Sequence, residues 1–452
     1  MPAGRQVTRI RKVIADNTTY MSSKKEKRTS SKQLQVPRGM HDILPEEQPW
    51  WDRVSKVSRE LAEFYNFGKI DTPALEHLAL FERGVGEETD IVGKEMYVVR
   101  TKGGDVLALR PENTAGVMRA YLEHHLSRGP QPKKFFYQGP FFRHENPQAG
   151  RYRQFHQIGF EAIGGADPIY DAQIILIFQR LLDDLRIKRV ALKINSIGCR
   201  VCRPIYKRAL QNYYRNYERK LCADCLRRAK TNPLRLLDCK KEQCQEWKTG
   251  APNFFDKLCN ACSTHLKSVL EYLDELSLSY TLDNQLVRGL DYYSRTVFEF
   301  YVEGDGADAG ALLGGGRYDY LGEMLGGKIT PAVGGAAGME RLIMVMKTQE
   351  VKLPVRGGKK VFMIHVGELA KKKSLGIIEE LRNAGIGVGE SLGRESLKAQ
   401  LKNADQEGMD LALIFGQREI FEESIIIRDL KNSLQETVPL RKLVEEIKKR
   451  LK

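Results

Sequence analysis

All eight cysteines of this 452-residue chain fall between residues 199 and 262, as the pairs Cys199/Cys202, Cys222/Cys225, Cys239/Cys244 and Cys259/Cys262. Two thiols three or five positions apart can face one centre, and tetrahedral zinc takes two such pairs. Eight sulfurs therefore suffice for two four-cysteine sites, although the spacing leaves open which pair joins which. A shell of four thiolates has no vacant position, so a metal here is expected to be structural zinc rather than a catalytic ion. Disulfides are the other use of paired cysteines, but they belong to oxidising compartments. The crowding marks residues 196–270 as a self-contained insertion that splits whatever surrounds it.

The same insertion carries sixteen Lys/Arg against six acids, a net +10. Residues 1–35 carry nine against two, a net +7. The whole chain is +15, so the remainder is close to neutral. Basic charge confined to a tail and an insertion suits a nucleic-acid partner, though solvated basic surfaces are common on any soluble protein. The tail is Ser/Thr-rich without an apolar segment, which fits a disordered arm and not a signal peptide. With 42% hydrophobic and 29% charged residues and no apolar run long enough to span a bilayer, the expectation is a cytoplasmic protein of two or three domains.

Periodicity supplies the elements. "QPWWDRVSKVSRELAEF" reads as a helix over residues 48–64, and "FGKIDTPALEHLALF" as a strand broken at Pro73. A hairpin turning at Gly103-Gly104 leads to a helix from about Thr114. "KKFFYQGPFFRHENPQAGRYRQFHQIGFEAIG" reads as two strands joined by a polar loop, followed by a helix over 168–184 and the strand "RVALKINSIG". After the insertion, "TVFEFY" alternates as a half-buried strand, and "PAVGGAAGMERLIMVM" reads as a strand, a glycine-rich turn and a helix. Adjacent strands with hairpin links predict a mainly antiparallel sheet. Beyond a linker near 347–360, strands and helices alternate, which predicts a separate α/β domain over 356–452 with a partly parallel sheet.

Three stretches carry charge where a fold alone does not need it. "FRHENPQAGRYRQF" gathers Arg143, His144, Glu145, Arg151 and Arg153 beside Phe155, a pattern suited to phosphate contacts and base stacking. "GMERL" sets Arg341 at a helix start, where backbone amides favour an anion. "LVRGLDYYSRTVFEF" places Arg288 and two tyrosines at the mouth of a strand. There is no P-loop, dinucleotide fingerprint or kinase signature.

These stretches resemble those of class II aminoacyl-tRNA synthetases, specifically bacterial-type histidyl-tRNA synthetases. "DTPALEHLALF" is similar to class motif 1, with Pro73 as its proline; the motif 2 and motif 3 counterparts are "FRHENPQAGRYRQFHQIGFEAIG" and "PAVGGAAGMERL". "RGLDYY" and "GGGRYD" resemble the two segments that set the histidine enzymes apart. The resemblance runs from about Val36 to the C-terminus. It implies an α+β catalytic domain on a class II synthetase sheet over 36–195 and 271–350, a helical cysteine-rich insertion, and a C-terminal anticodon-binding α/β domain. It also implies a homodimer formed through motif 1.

The resemblance further implies a histidine–tRNA ligase that uses ATP with Mg2+ to make histidyl-adenylate and then charges tRNA(His). Arg288 and Arg143 would reach the α-phosphate, Arg341 the γ-phosphate, and Phe155 would stack on adenine. Glu112 and Thr114 would hold the α-amino group of histidine. Gln157, Glu161, Tyr292, Tyr293 and Tyr318 would line the rest of the amino-acid pocket, with Glu161 able to accept an imidazole N–H. Gln148 and Arg153 would face the tRNA acceptor end. Motif 3 departs from the family at Gly335-Ala336-Ala337, where a bulkier residue is usual after "AVG", and the four cysteine pairs exceed what many relatives carry. Two other readings compete with this one. A non-ligating regulatory paralogue that partners ATP phosphoribosyltransferase tends to lack the C-terminal domain and site residues that this chain has. A zinc-dependent nucleic-acid-binding module would not need the arginine and pocket set.

Overall fold

The computed structural model describes residues 33–86, 89, 91–147, 150–304, 310–353, 361–393 and 396–451. The expected disordered tail therefore lies almost wholly outside the described residues. The chain forms two compact units that part between Val351 and Lys352.

The larger unit is built on an eight-stranded sheet. Its strands, in chain order, are β1 (Gly68–Lys69), β5 (Lys133–Phe142), β6 (Gln154–Ile163), β7 (Val190–Ser196), β8 (Thr281–Leu282), β9 (Ser294–Val302), β10 (Leu313–Arg317) and β11 (Ala332–Gly338). A separate three-stranded sheet holds β2 (Leu75–His77), β3 (Val98–Arg100) and β4 (Val106–Leu109). The large sheet runs β1-β5-β6-β11-β10-β9-β7-β8, antiparallel except at its two short edge pairs. Its longest pairing is the ten-residue hairpin β5/β6, in register from Lys133–Ile163 to Phe142–Gln154.

Helix α1 (Gln48–Phe64) starts on a proline in its first turn and buries Trp51, Val54, Val57, Ser58, Leu61 and Ala62, the stripe expected of a 3.6-residue period. Helix α2 (Leu78–Val85) replaces the end of the strand expected after Pro73. "LALF" is apolar enough for either state, and burial of Leu80, Phe81 and Val85 on one helical face decides it. Helices α3 (Thr114–Glu123) and α4 (Ile169–Asp184) begin where expected.

The glycines of motif 3 form strand, not turn. Gly334 and Gly335 lie inside β11, opposite Gly316 and Gly315 of β10. A Cβ on Gly315 would stand 2.1 Å from the Gly334 carbonyl oxygen, and one on Gly334 would stand 1.6 Å from Glu161 Oε2. Glycine is used here for close backbone approach. The departure at Gly335-Ala336-Ala337 is accommodated in the same way, with a Cβ on Gly335 falling 2.8 Å from Phe178.

The insertion is helical, as expected: α5 (Cys202–Arg215), α6 (Ala223–Thr231), α7 (Glu242–Thr249) and α8 (Asn260–Glu275). Tyr206 and Phe254 pack at its centre with ring centroids 4.0 Å apart. Its core is continuous with that of the body, since Tyr206, Leu210, Tyr214 and Cys202 share one buried cluster with Tyr292, Tyr293 and Tyr318. Two further helices, α9 (Leu321–Met324) and α10 (Met339–Thr348), complete this unit.

The smaller unit has the sheet β13-β12-β14-β15-β16, with β12 (Val361–His365) parallel to β13 (Val388–Glu390) and β14 (Leu411–Phe415). Strands β15 (Ser424–Asp429) and β16 (Gln435–Pro439) add on antiparallel. Val361 and Met363 pack on one face with Leu381 and Leu443, while Phe362 and Ile364 pack on the other with Ala404. That alternation is the two-residue period of a strand covered on both sides. Among the described residues no helix is long and apolar enough to cross a membrane.

Candidate active site and cysteine clusters

Strand β6 brings Glu161 into the interior, where its side chain is fully buried. Opposite it, α3 begins at Thr114, whose Oγ1 donates to Glu161 Oε1 at 2.7 Å. Tyr318, just after β10, donates its hydroxyl to Glu161 Oε2 at 2.5 Å, and Tyr137 stands 3.4 Å from Oε1. Glu112 lies at the same helix start and accepts the amides of Thr114 at 2.7 Å and Ala115 at 3.0 Å. Those are otherwise unpaired first-turn N–H groups. Tyr292 donates to Glu112 Oε2 at 3.3 Å, and its ring lies 4.8 Å from that of Tyr293 and 5.7 Å from that of Tyr318. The result is a chamber of two carboxyls walled by tyrosines.

Burial pushes the Glu161 carboxyl up to about 8 against the hydroxyls that favour its charged form, and Glu112 adds to the rise. Glu112 is raised for the same first reason, with the two backbone amides opposing. Two buried acids whose hydrogen bonds come from hydroxyls and amides form a site that a cationic, N–H-bearing ligand would stabilise.

An open cleft of about 960 Å³ is lined by Arg143, Phe155, Gln157, Arg288 and Arg341. Arg143 follows β5, donates through Nε to the Pro111 carbonyl at 2.9 Å, and lies 5.3 Å over the Phe155 ring. Arg341, in the first turn of α10, donates to the carbonyls of Gly150 at 3.1 Å and Ala311 at 2.5 Å. Burial, then the charges of Arg151 and Arg143, lower its guanidinium below the ordinary value. Such crowding of positive charge favours an anion between the arginines. Arg288 is ion-paired with Glu299, which also accepts the Tyr301 hydroxyl. Burial opposes its charge, but Glu299 and the neighbouring tyrosines raise it.

The strand period joins the two halves. Phe155, Gln157 and Glu161 occupy one face of β6, and the Gln157 Oε1 is buried without a hydrogen-bond partner among the described residues. Arg153 is not among the cleft-lining residues; it donates to the backbone of Glu145 at 3.3 Å and Arg38 at 3.4 Å. Gln148 lies outside the described residues.

Several lining groups go beyond the sequence reading. Tyr137 reads as an ordinary strand aromatic, and Glu299 as an exposed position of an alternating strand. The insertion gives a larger surprise. Residues 199–262 are expected to stand apart from the pocket, yet Cys222, Arg228, Arg235, Cys239, Lys240, Lys241 and Lys248 line the same cleft. The local net charge of +10 was the signal that could have placed them near an anion site.

The cysteines resolve into two groups, Cys199/Cys202/Cys259/Cys262 and Cys222/Cys225/Cys239/Cys244, with the sulfurs of each group within 4.8 Å of one another. The first and last pairs combine around the middle two.

Comparison with known proteins gives the following. The family described as "Histidyl-tRNA synthetase" matches residues 39–342, and "Anticodon binding domain" matches residues 360–450. A "Histidine--tRNA ligase" of Dehalococcoides mccartyi strain 195 is 47% identical over 417 residues, covering 92% of this chain and all of the relative. One from Pelotomaculum thermopropionicum is 43% identical over 415 residues, covering 92% and 97%. The structure of apo histidyl-tRNA synthetase from S. aureus aligns with a TM-score of 0.77 at 33% identity, covering 92% of this chain and all of that one.

Proposed function

The chain belongs to the histidyl-tRNA synthetase family, and on that premise we propose how its two-part site works. The protein is an ATP-dependent histidine–tRNA ligase. The observation that carries the reading is the acid–tyrosine chamber beside an arginine-lined cleft, joined by one face of β6.

The chamber takes histidine. Glu112 and the Thr114 hydroxyl hold the α-ammonium, while Glu161, oriented by Tyr318 and Tyr137, accepts an imidazole N–H. Gln157, Tyr292 and Tyr293 enclose the remainder. The cleft takes ATP, with Phe155 under adenine, Arg143 and Arg288 at the α-phosphate and Arg341 towards the γ-phosphate. The histidine carboxylate then attacks the α-phosphorus, the bond to the β-phosphate oxygen breaks, and pyrophosphate leaves. Negative charge grows on the non-bridging oxygens, where two guanidiniums stabilise the transition state more than the ground state. In the second step a terminal ribose hydroxyl of the tRNA attacks the acyl carbon, and AMP leaves.

Glu299 and Glu340 are the carboxylates of the cleft lining that would hold a Mg2+ brought by the nucleotide, once freed in part from Arg288 and His156, and the ion would supply neutralisation of phosphate charge. Zinc in the insertion fits the all-thiolate donor sets. We further propose domain limits at 36–195 with 271–350, 196–270 and 356–452, a homodimer through the motif 1 region, a cytoplasmic setting, and Arg153 and Gln148 towards the acceptor end.

Pyrophosphate exchange measured with each of the twenty amino acids tests the reading. Histidine alone should support exchange. Exchange with none would favour the regulatory paralogue, and exchange with another amino acid would refute the assignment of the chamber.

A further inference from the structure

The basic cleft wall and the two cysteine groups are parts of the molecule that the ligase reaction does not use directly. We propose that the eight cysteines form two tetrahedral zinc sites, and that the outer one braces the active-site segment 286–293. The bracing role rests on the ligase reading; the metal sites do not.

Four sulfurs each about 2.3 Å from a zinc ion stand about 3.8 Å apart at the corners of a tetrahedron. Cys199 and Cys202 are 3.7 Å apart, Cys199 and Cys259 3.9 Å, and Cys222 and Cys239 3.9 Å. A disulfide would need about 2.05 Å, so these are metal-edge separations. Backbone amides donate to the sulfurs, from Cys259 to Cys202 at 3.0 Å, Val201 to Cys199 at 3.3 Å and Cys222 to Cys244 at 3.4 Å. Cys202, Cys225, Cys244 and Cys262 each lie in the first turn of a helix, so one sulfur of every pair is fixed by a helix start.

The link to the active site is covalent neighbourhood. Strand β7 runs into Ile197 and Gly198, whose backbone groups bond Arg295 at 2.8 and 2.9 Å. The next residue is Cys199. Arg203 follows Cys202 in α5, and its guanidinium donates to the carbonyl of Asp291 at 3.3 Å and to that of Tyr293. The inner group acts from the other side. Asn232, at the end of the helix that carries Cys225, donates to Asp291 Oδ1 at 3.0 Å. The segment bearing Arg288, Tyr292 and Tyr293 is thus held by three hydrogen bonds, two from Arg203 beside the outer cysteine group and one from Asn232 beside the inner one. Arg203 is a positioning residue, remote from the reacting atoms.

Full-length protein prepared without chelator should contain about two zinc ions per chain by elemental analysis. The Cys259→Ser/Cys262→Ser and Cys239→Ser/Cys244→Ser variants should each keep about one. Arg203→Ala should keep both ions, lower kcat for histidine-dependent pyrophosphate exchange on the order of tenfold to a hundredfold, and speed amide hydrogen exchange across 286–293. Arg203→Lys should recover part of the rate. Absence of zinc, or two ions retained in the outer-pair variant, would overturn the sites. Arg203→Ala with wild-type kcat and unchanged amide exchange would overturn the brace. If the wild type did not exchange with histidine, the ligase reading would fall, while zinc content and amide exchange would still decide this proposal.

Discussion

Arg288 and Glu161 show how single side chains divide the chemistry. Arg288 is ion-paired with Glu299, so a phosphate must compete for it, and in the proposed reaction its value lies in the charge that builds during attack. Arg288→Ala should lower kcat for adenylation on the order of 10²-fold with the fold intact. Near-normal kcat with a raised KM would reassign it to ground-state binding. Glu161 makes a pH-dependent prediction. Its carboxyl is raised to about 8 by burial, so the folded protein holds a proton that the unfolded chain releases above roughly pH 4.3. The stability this contributes is full below that value and is lost as pH rises to about 8, at up to about 1.4 kcal/mol per unit. Glu161→Gln keeps the shape and removes the titration. Urea midpoints from pH 5.5 to 8.5 should therefore fall more steeply for the wild type than for the variant, and parallel profiles would contradict a buried proton at this position. The same variant should raise KM for histidine more than KM for ATP.

At the scale of elements, the sheet is held to α4 by a contact that pattern reading treats as incidental. Arg317, at the end of β10, is fully buried and pairs with Asp171 of α4 and with Asp319. Burial would raise the Asp171 carboxyl, but Arg317 and His265 bring it down to about 2. Arg317→Met should destabilise the larger unit by about 3–5 kcal/mol, because Asp171 is left buried without its partner. Adding Asp171→Leu should recover much of that loss, since a well-packed apolar pair avoids the desolvation cost. A tolerated single substitution would show that water reaches the site. This pair also marks the boundary of what a sequence can disclose. Gln48–Phe64 is legible because its apolar positions repeat with a helical period, and β12 and β14 because they are uniformly buried runs. The "LALF" helix and the glycine strands are not, since apolar runs fit either state and glycine fits turns by default. The chamber residues were legible through resemblance to a family. Glu299, Tyr137 and the insertion's cleft wall depend on strand register and packing, which local pattern does not encode.

At the scale of the whole molecule, the two units divide the labour. Every proposed histidine and ATP residue lies before Val351, and the smaller unit has its own two-sided core. The cleft is lined in addition by Arg228, Arg235, Lys240, Lys241 and Lys248, so the larger unit carries both the chemistry and a basic surface. If the smaller unit adds a second contact to the tRNA, it contributes through effective concentration and not through the reaction itself. A chain ended after Val351 should keep histidine-dependent pyrophosphate exchange within a few-fold of the full chain, while charging of tRNA at limiting concentration falls on the order of 10²-fold. Raising the tRNA concentration should recover part of that loss, and raising salt should deepen it, because the remaining contacts are electrostatic. Equal losses in exchange and charging would show that the smaller unit is needed for the larger one to fold. Undiminished charging would remove the smaller unit from tRNA recognition altogether.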